Sequence, residues 1–250
     1  MNDAAPSWCV EECCLNAWPA LRQVHFAGWV VRFSGGLTRR ANSANALCHR
    51  PADGDAFVAA VEALYRRQRQ PAIYRLTSLI SGDIDRRLAA RGYGAEGASL
   101  VLYREFASPP TRDPAIRLLP RPSPAWLGAM AALQPHTEKE AARYRRIVRA
   151  VTIPAAFAVL CDGATGGAAA LAFAAVHRDV VCYQSIVTDP SQRRRGHARR
   201  LMATLAAWAA EHGARAACLE VEAANSPALA LYDRLGFQEL YHYHYRRQPA

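Results

Sequence analysis

Two periodicities alternate along this chain. Stretches in which apolar residues recur every third or fourth position read as helices with one buried face. Short apolar or alternating runs read as strands. In the first half they predict a helix around Val10 to Leu15, a strand from Gly28 to Ser34 and then a Gly-rich turn. A helix follows from Asp55 to Arg69, with Phe57, Val61, Leu64 and Tyr65 on one face. A strand from Ala72 to Thr77, a helix from Asp83 to Arg91 and a strand from Ser99 to Phe106 complete that half. In the second half, helices are expected from Ala125 to Leu133 and from Glu138 to Val148, then strands at Ala155 to Cys161, Ala168 to His177 and Val180 to Thr188. A long helix from His197 to His212 carries Leu201, Leu205, Trp208 and Ala209 as its apolar stripe. A strand from Ala216 to Glu222, a short helix from Pro227 to Leu235 and a strand from Phe237 to Tyr245 end the pattern.

The clearest interruption is Ser108-Pro109-Pro110-Thr111-Arg112-Asp113-Pro114, whose prolines disfavour both helix and central strand. It separates two expected domains, residues 1–110 and 115–250. Each half has a long helix, a strand, a short helix ending before a Gly-aromatic pair, and a strand ending Tyr-Arg. The first shows Leu88 to Gly92-Tyr93 and Tyr103-Arg104; the second shows Leu231 to Gly236-Phe237 and Tyr245-Arg246. The shared order reads as a diverged repeat. The expected fold class is α/β, in tandem units, each a mixed and twisted sheet flanked by helices.

Composition narrows the setting. The chain is 51% hydrophobic and 21% charged, an ordinary globular balance. No apolar run approaches the roughly 20 residues that span a bilayer, so no membrane association is expected. Met1 to Ser7 is polar and lacks a basic start followed by an apolar stretch, so no secretory signal is read there. The cytoplasm is the expected compartment. Cys9, Cys13, Cys14, Cys48, Cys161, Cys182 and Cys218 contain no C-x-x-C pair, a spacing that suits neither a zinc site nor a disulfide framework. Buried free thiols are expected, and no metal. His242 and His244 share one face of the last strand, but with no third ligand in view they read as a polar strand face.

The formal charge is +10, nearly all of it from arginine, since Lys139 is the only lysine. Residues 1–110 carry 13 basic and 10 acidic groups, and residues 111–250 carry 18 and 11. The surplus lies in the second half. Such a surplus fits nucleic acid, a membrane surface or a phosphate-rich small ligand.

Its sharpest concentration is Val187-Thr188-Asp189-Pro190-Ser191-Gln192-Arg193-Arg194-Arg195-Gly196-His197-Ala198-Arg199-Arg200. A strand ends, a turn follows, and a basic Gly-containing loop opens a helix. The free backbone N–H groups and dipole of a helix N-terminus suit a pyrophosphate. Gly196 permits close backbone approach, Ala198 avoids a clash, and the arginines add charge-assisted bonds. Downstream, Leu219-Glu220-Val221-Glu222-Ala223-Ala224-Asn225 runs from strand to turn. Ser226-Pro227-Ala228-Leu229-Ala230-Leu231-Tyr232 then forms a short helix closed by Gly236.

These motifs resemble the GNAT acetyltransferases. The family's acetyl-CoA signature, Gln/Arg-x-x-Gly-x-Gly/Ala, stands here as Arg193-Arg194-Arg195-Gly196-His197-Ala198. Its second signature, Asn-x-x-Ala-x-x-Leu-Tyr-x-x-x-Gly-Phe, stands from Asn225 to Phe237. The resemblance spans about residues 115–247. It implies that the backbone of Ile186, Val187 and Thr188 pairs with the pantetheine arm. It also implies that the loop from Arg194 to Arg199 holds the pyrophosphate, that Asn225 contacts the CoA arm and that Tyr232 sits near the sulfur. The Leu-Glu-Val segment is similar to that of the N-terminal-alanine acetyltransferases of ribosomal proteins, in which the glutamate is the general base; here it is Glu220. The implied reaction is direct attack of a primary amine on acetyl-CoA in a ternary complex. Glu220 acts as base through water, a backbone N–H near Ile186 stabilises the oxyanion, and Tyr232 is the acid for the leaving thiolate.

Bland readings stand beside these: Tyr232 as a core aromatic, Glu220 and Glu222 as solvated strand residues, Cys182 and Cys218 as core residues. The first half lacks both signatures and resembles the degenerate N-terminal half of two-part bacterial GNAT proteins. The likeness lies in Asn16-Ala17-Trp18-Pro19-Ala20, Gly28 to Phe33, and Thr38-Arg39-Arg40-Ala41-Asn42-Ser43. That last loop is either a hydrogen-bonded turn or part of the acceptor cleft. A small-molecule amine is the favoured acceptor, with a protein N-terminus or lysine as the alternative. The rival outside enzymes is a catalytically silent acyl-CoA-binding module. Nucleic acid is not expected, because the basic residues cluster where CoA phosphates would sit and aromatics do not interleave with them.

Overall fold

The computed structural model of the chain describes residues 4–36, 38–107, 111–163 and 166–249. Residues 108–110 of the expected linker therefore lie outside the described residues. The helices are α1 (Ala4–Ala17), α2 (Asp55–Arg67), α3 (Asp83–Ala90), α4 (Pro124–Leu133), α5 (Glu138–Arg149), α6 (His197–Glu211) and α7 (Ser226–Arg234). The strands of the first half are β1 (Arg22–Phe26), β2 (Trp29–Phe33), β3 (Ala44–Ala46), β4 (Ile73–Thr77) and β5 (Gly94–Glu105). Those of the second are β6 (Ile116–Leu119), β7 (Ala155–Cys161), β8 (Ala168–His177), β9 (Val180–Thr188), β10 (Ala216–Glu222) and β11 (Gln238–Arg247).

Local chemistry explains most boundaries. Thr137 and Glu140 form a reciprocal capping box at the start of α5, and Ser123 accepts from the Trp126 N–H with Pro124 at the first position of α4. Ala27 and Gly28, both at positive φ, make the tight turn joining β1 to β2. Strand β1 was not expected from the pattern. All five of its residues are exposed, so no alternation marks it. Strand β5 begins five residues earlier than expected, at Gly94 rather than Ser99. Gly97, at φ +63°, sits in this added stretch, which pairs with β11 through a bulge between Tyr243 and Tyr245.

Among the described residues, all eleven strands form one sheet in the order β1-β2-β3-β4-β11-β5-β10-β9-β8-β7-β6. Each half places its last strand inside the other. Strand β11 lies between β4 and β5, and β5 lies between β10 and β11. The N-terminal helix also crosses over, packing α1 on β8, β9 and β10. Helices α6 and α7 cover one face of the second half, where Leu201, Leu205, Leu219, Tyr232 and Phe237 join one apolar cluster. On α4 and α5, Trp126, Met130, Tyr144 and Ile147 build a separate cluster with Phe157 and Phe173, which Trp18 of the first half completes. No helix among the described residues is long and apolar enough to cross a membrane.

Candidate active site

The site starts where two parallel strands part. Pairing of β9 with β10 runs from Val180↔Ala216 to Tyr183↔Leu219 and stops, although both strands continue. The divergence begins beside Ser185, which takes φ +51°, and the β8–β9 ladder slips at the same place. Beyond it, Val187 and Thr188 still pair with β8, while no pairing with β10 engages their other edge. Ile186, Val187 and Thr188, the expected pantetheine strand, therefore line an open wedge between β9 and β10 and are only partly buried.

The basic loop lies at the end of that wedge. Asp189 accepts from the Ser191 N–H and hydroxyl, which hold its carboxyl below the usual range and close a single 3-10 turn over Pro190–Gln192. Arg194 and Gly196 both have positive φ, and Gly196 caps α6 at φ +77° with no side chain satisfying the first N–H groups. A Cβ on Gly196 would meet nothing within 4 Å, so the glycine is required by backbone conformation and leaves space in front of the helix. Arg193, Arg194, Arg195 and Arg199 are exposed. Among the described residues none of them pairs with a carboxylate, whereas Arg200 is held by Asp113 at 2.6 Å. His197 and Ala198 are partly exposed, and His197 Nδ1 is buried with no hydrogen-bond partner among the described residues. Helix-start N–H groups with no side-chain cap, flanked by arginines that pair with no carboxylate among the described residues, are the groups a polyanion site requires.

Asn225 is exposed and caps α7, accepting from the Ala228 N–H at 3.3 Å. Tyr232, two turns further on, is 8% exposed, with its ring 6.0 Å from that of Phe237. Burial pushes its pKa up to about 12.

Glu220 stands differently from the expectation. It is buried on β10, and its carboxylate is held by Arg40 and by Arg75, the latter at 3.0 Å. Burial alone would raise its pKa. The guanidiniums of Arg40 and Arg75, with hydrogen bonds from Arg40 and Tyr243, outweigh that and hold it at about 2. A carboxylate so stabilised is a weak base. Glu222, two residues along the same face, has its side chain 65% exposed and pairs with Arg39 at 3.2 Å.

Arg39 and Arg40 come from the loop whose role the sequence left open, and its hydrogen bonds make it a structural turn. Asn42 Oδ1 accepts from the N–H groups of Ser34 and Gly36 while its amide donates to the Thr38 carbonyl, which makes a turn. That turn carries Arg39 and Arg40 to β10 of the other half. Arg40 lies 5.0 Å over the Trp18 ring and also donates to Gln184 at 3.0 Å. The Tyr144 hydroxyl donates to Ser185 Oγ at 3.0 Å beside the same wedge. Motif reading missed Arg75, Tyr144 and Ser185, and named Trp18 and Arg40 only within stretches of family likeness, because nothing near them in sequence signals contacts so remote.

Other candidates are placed elsewhere. His242 and His244 pair with Glu239 and Asp85 rather than with each other. A groove of about 1020 Å³, lined in part by Leu118, Val151, Phe157 and Trp208, lies at the C-terminal end of α6, opposite the basic loop.

The chain is similar to known proteins over most of its length. A family model described as "Probable histone acetyltransferase Rv0428c C-terminal" matches residues 8–247. The uncharacterized N-acetyltransferase YobR of Bacillus subtilis is 25% identical over 243 residues, covering 95% of this chain and 96% of that protein. A segment of 74 residues, 30% of this chain and 50% of the relative, is 38% identical to the ribosomal protein bS18-alanine N-acetyltransferase of Escherichia coli. Among solved structures, a GCN5-related N-acetyltransferase from Kribbella flavida superposes with a TM-score of 0.71 at 16% identity, over 99% of this chain and 96% of that one. A tandem GNAT protein from the clavulanic acid biosynthesis pathway gives 0.65 at 13% identity, over 83% and 76%. These last two likenesses are of fold.

Proposed function

We propose, from the premise that this chain belongs to the Rv0428c C-terminal family and is a GNAT-type N-acetyltransferase acting on an amine, that it transfers the acetyl group of acetyl-CoA to a small primary amine by direct attack in a ternary complex. The observation that carries the donor is the open β9–β10 wedge ending at the uncapped, arginine-flanked start of α6. The pantetheine lies along Ile186, Val187 and Thr188. The pyrophosphate takes the N–H groups from Gly196 to Ala198 with Arg193, Arg194, Arg195 and Arg199, and Asn225 meets the arm. Tyr232 hydrogen-bonds the departing sulfur.

The base is reassigned within the same strand. Glu220 serves as the anion that fixes Arg40 and Arg75, while Glu222 is the carboxylate open to solvent that receives the ammonium proton, directly or through water. The experiment is thiol release from acetyl-CoA with a panel of small amines, N-terminal peptides and lysine peptides. Saturable turnover with small amines supports the reading. Turnover confined to peptides transfers it to a protein acceptor, a reading favoured by the likeness to the bS18-alanine enzyme. Tight acetyl-CoA binding with no turnover on any amine class would make the chain a silent binding module.

A further inference from the structure

We propose that Cys14, Cys182 and Cys218 form a buried site for a thiophilic metal ion, with zinc as its default occupant. The three come from α1, β9 and β10, and their sulfurs lie within 4.8 Å of one another. Cys14 Sγ is 3.9 Å from Cys218 Sγ and 3.9 Å from Cys182 Sγ. Thiolates at ~2.3 Å from a tetrahedral ion sit about 3.8 Å apart, so the sulfurs already stand near ligand spacing. Backbone geometry fixes two of them. Cys182 and Cys218 are register partners in the parallel β9–β10 pair and point to one face, and α1 lays Cys14 against them. Cys13, also buried and hydrogen-bonded to the Val180 carbonyl at 3.4 Å, is the fourth sulfur at hand.

Two further features fit bound thiolates better than packed thiols. Gln184 Nε2 donates to Cys182 Sγ at 3.2 Å and is itself oriented by Arg40, the kind of outer hydrogen bond that holds a metal ligand in place. The charge count of the compartment is also unbalanced. The buried Arg32 and Arg75 and the half-buried Arg40 are met by Glu11 and Glu220 among the described residues, one carboxylate fewer than the guanidiniums. Cys14, Arg32, Arg40, Arg75 and Glu220 line one small cavity, so the surplus lies beside the Cys14 sulfur. Three thiols leave that surplus as it is. Three thiolates around a divalent ion carry net −1 and cancel it, with the thiol protons released to solvent on loading. A C-x-x-C signature is lacking because the ligands come from three separate elements. Since all three are buried, the ion loads as the chain folds and pins the N-terminal helix to the strands that open into the acetyl-CoA wedge.

The test uses the full chain. Metal analysis after dialysis against EDTA should find about one zinc per chain. Refolding with Co²⁺ should give thiolate-to-cobalt charge-transfer absorption in the near ultraviolet, lost in Cys182→Ser and Cys218→Ser. Cys48→Ser and Cys161→Ser, at exposed positions, should leave zinc content and that absorption unchanged. If the core variants fail to fold, the wild type still decides, because a strong chelator present during thermal denaturation should lower its Tm. Protein that is free of zinc as purified, shows no cobalt band and melts at one temperature with zinc or with chelator would overturn the proposal and make the cluster an apolar contact.

Discussion

The proton taken up by the departing thiolate gives the most direct test of the proposed chemistry. Tyr232 is buried, and its pKa is pushed up to about 12. A thiol has a reference value near ~8.5, about 3.5 units lower, so complete transfer from phenol to a finished thiolate would be uphill by roughly 5 kcal/mol. Tyr232 must therefore donate while the C–S bond is still breaking, when the same low-polarity surroundings that disfavour tyrosinate also penalise a bare thiolate. Tyr232→Phe keeps the ring beside Phe237 and deletes only a hydroxyl for which no hydrogen bond contributes to the shift. Stability should change by less than about 1 kcal/mol, and calorimetric CoA affinity should hold. Turnover, read as thiol release, should fall roughly 100-fold or more, the scale of losing a general acid, equivalent to about 2.7 kcal/mol of activation free energy. With a pKa of about 12 the phenol stays protonated through pH 9, so no alkaline loss of rate in that range should vanish in the variant. Normal turnover with weakened CoA binding would refute the reasoning and leave Tyr232 as a packing residue, with water as the donor.

Gly196→Val forces a β-branched residue to φ +77° at the helix cap and should abolish acetyl-CoA binding in calorimetry with a Tm loss of only a few degrees; retained affinity would remove the pyrophosphate from this loop. Glu220, ordinarily near 4.5 but held at about 2, contributes stability that is complete above pH 4.5 and is lost as pH falls toward 2. The difference is worth about 3 kcal/mol. Glu220→Gln, which leaves Arg75 buried without this partner, should melt lower at pH 7 and lose less on acidification to pH 3; parallel pH profiles would contradict the pairing. Residues 1–110 and 115–250 expressed separately should each lack native circular dichroism and regain it only together, because each half lacks the strand it takes from the other. A folded 115–250 fragment that binds acetyl-CoA would show the exchange to be dispensable.

What the sequence disclosed depends on whether the signal was local. Helices α5 and α6 and strands β7 to β10 were legible because their apolar faces are long and uninterrupted. Strand β3, three residues long, and β6, four, are too short for a period to register. The proposed donor site rests on residues that were legible too, since the basic loop, Gly196, Asn225 and Tyr232 lie in two contiguous motifs. The acceptor side was not. Glu220 reads as a base on its own strand, and only folding reveals Arg40 and Arg75, 180 and 145 positions away, closing over it. The cysteines were hidden in the same way, with Cys14 and Cys218 separated by 204 positions.

The strand exchange ties a half that lacks both family motifs to the candidate site. With β11 and β5 lying between β4 and β10, Arg75 of β4 and Arg40 of the Arg39–Ala41 turn still reach Glu220 on β10. The carboxylate of Glu220 belongs to one half, and the guanidiniums that neutralise it belong to the other. Separating the halves would leave Glu220 without either arginine and Arg75 with Glu11 alone, at a cost of several kcal/mol. The pairing thus makes assembly of the halves a condition for an ordered wedge. Arg39 extends the same logic to the solvent-facing end of the strand, where it bridges Glu222 and Glu96 over the Tyr245 ring. In the proposed reaction, an ammonium group entering the wedge competes with Arg39 for the Glu222 carboxylate, so the first half contributes to the electrostatics that the proposed acceptor meets.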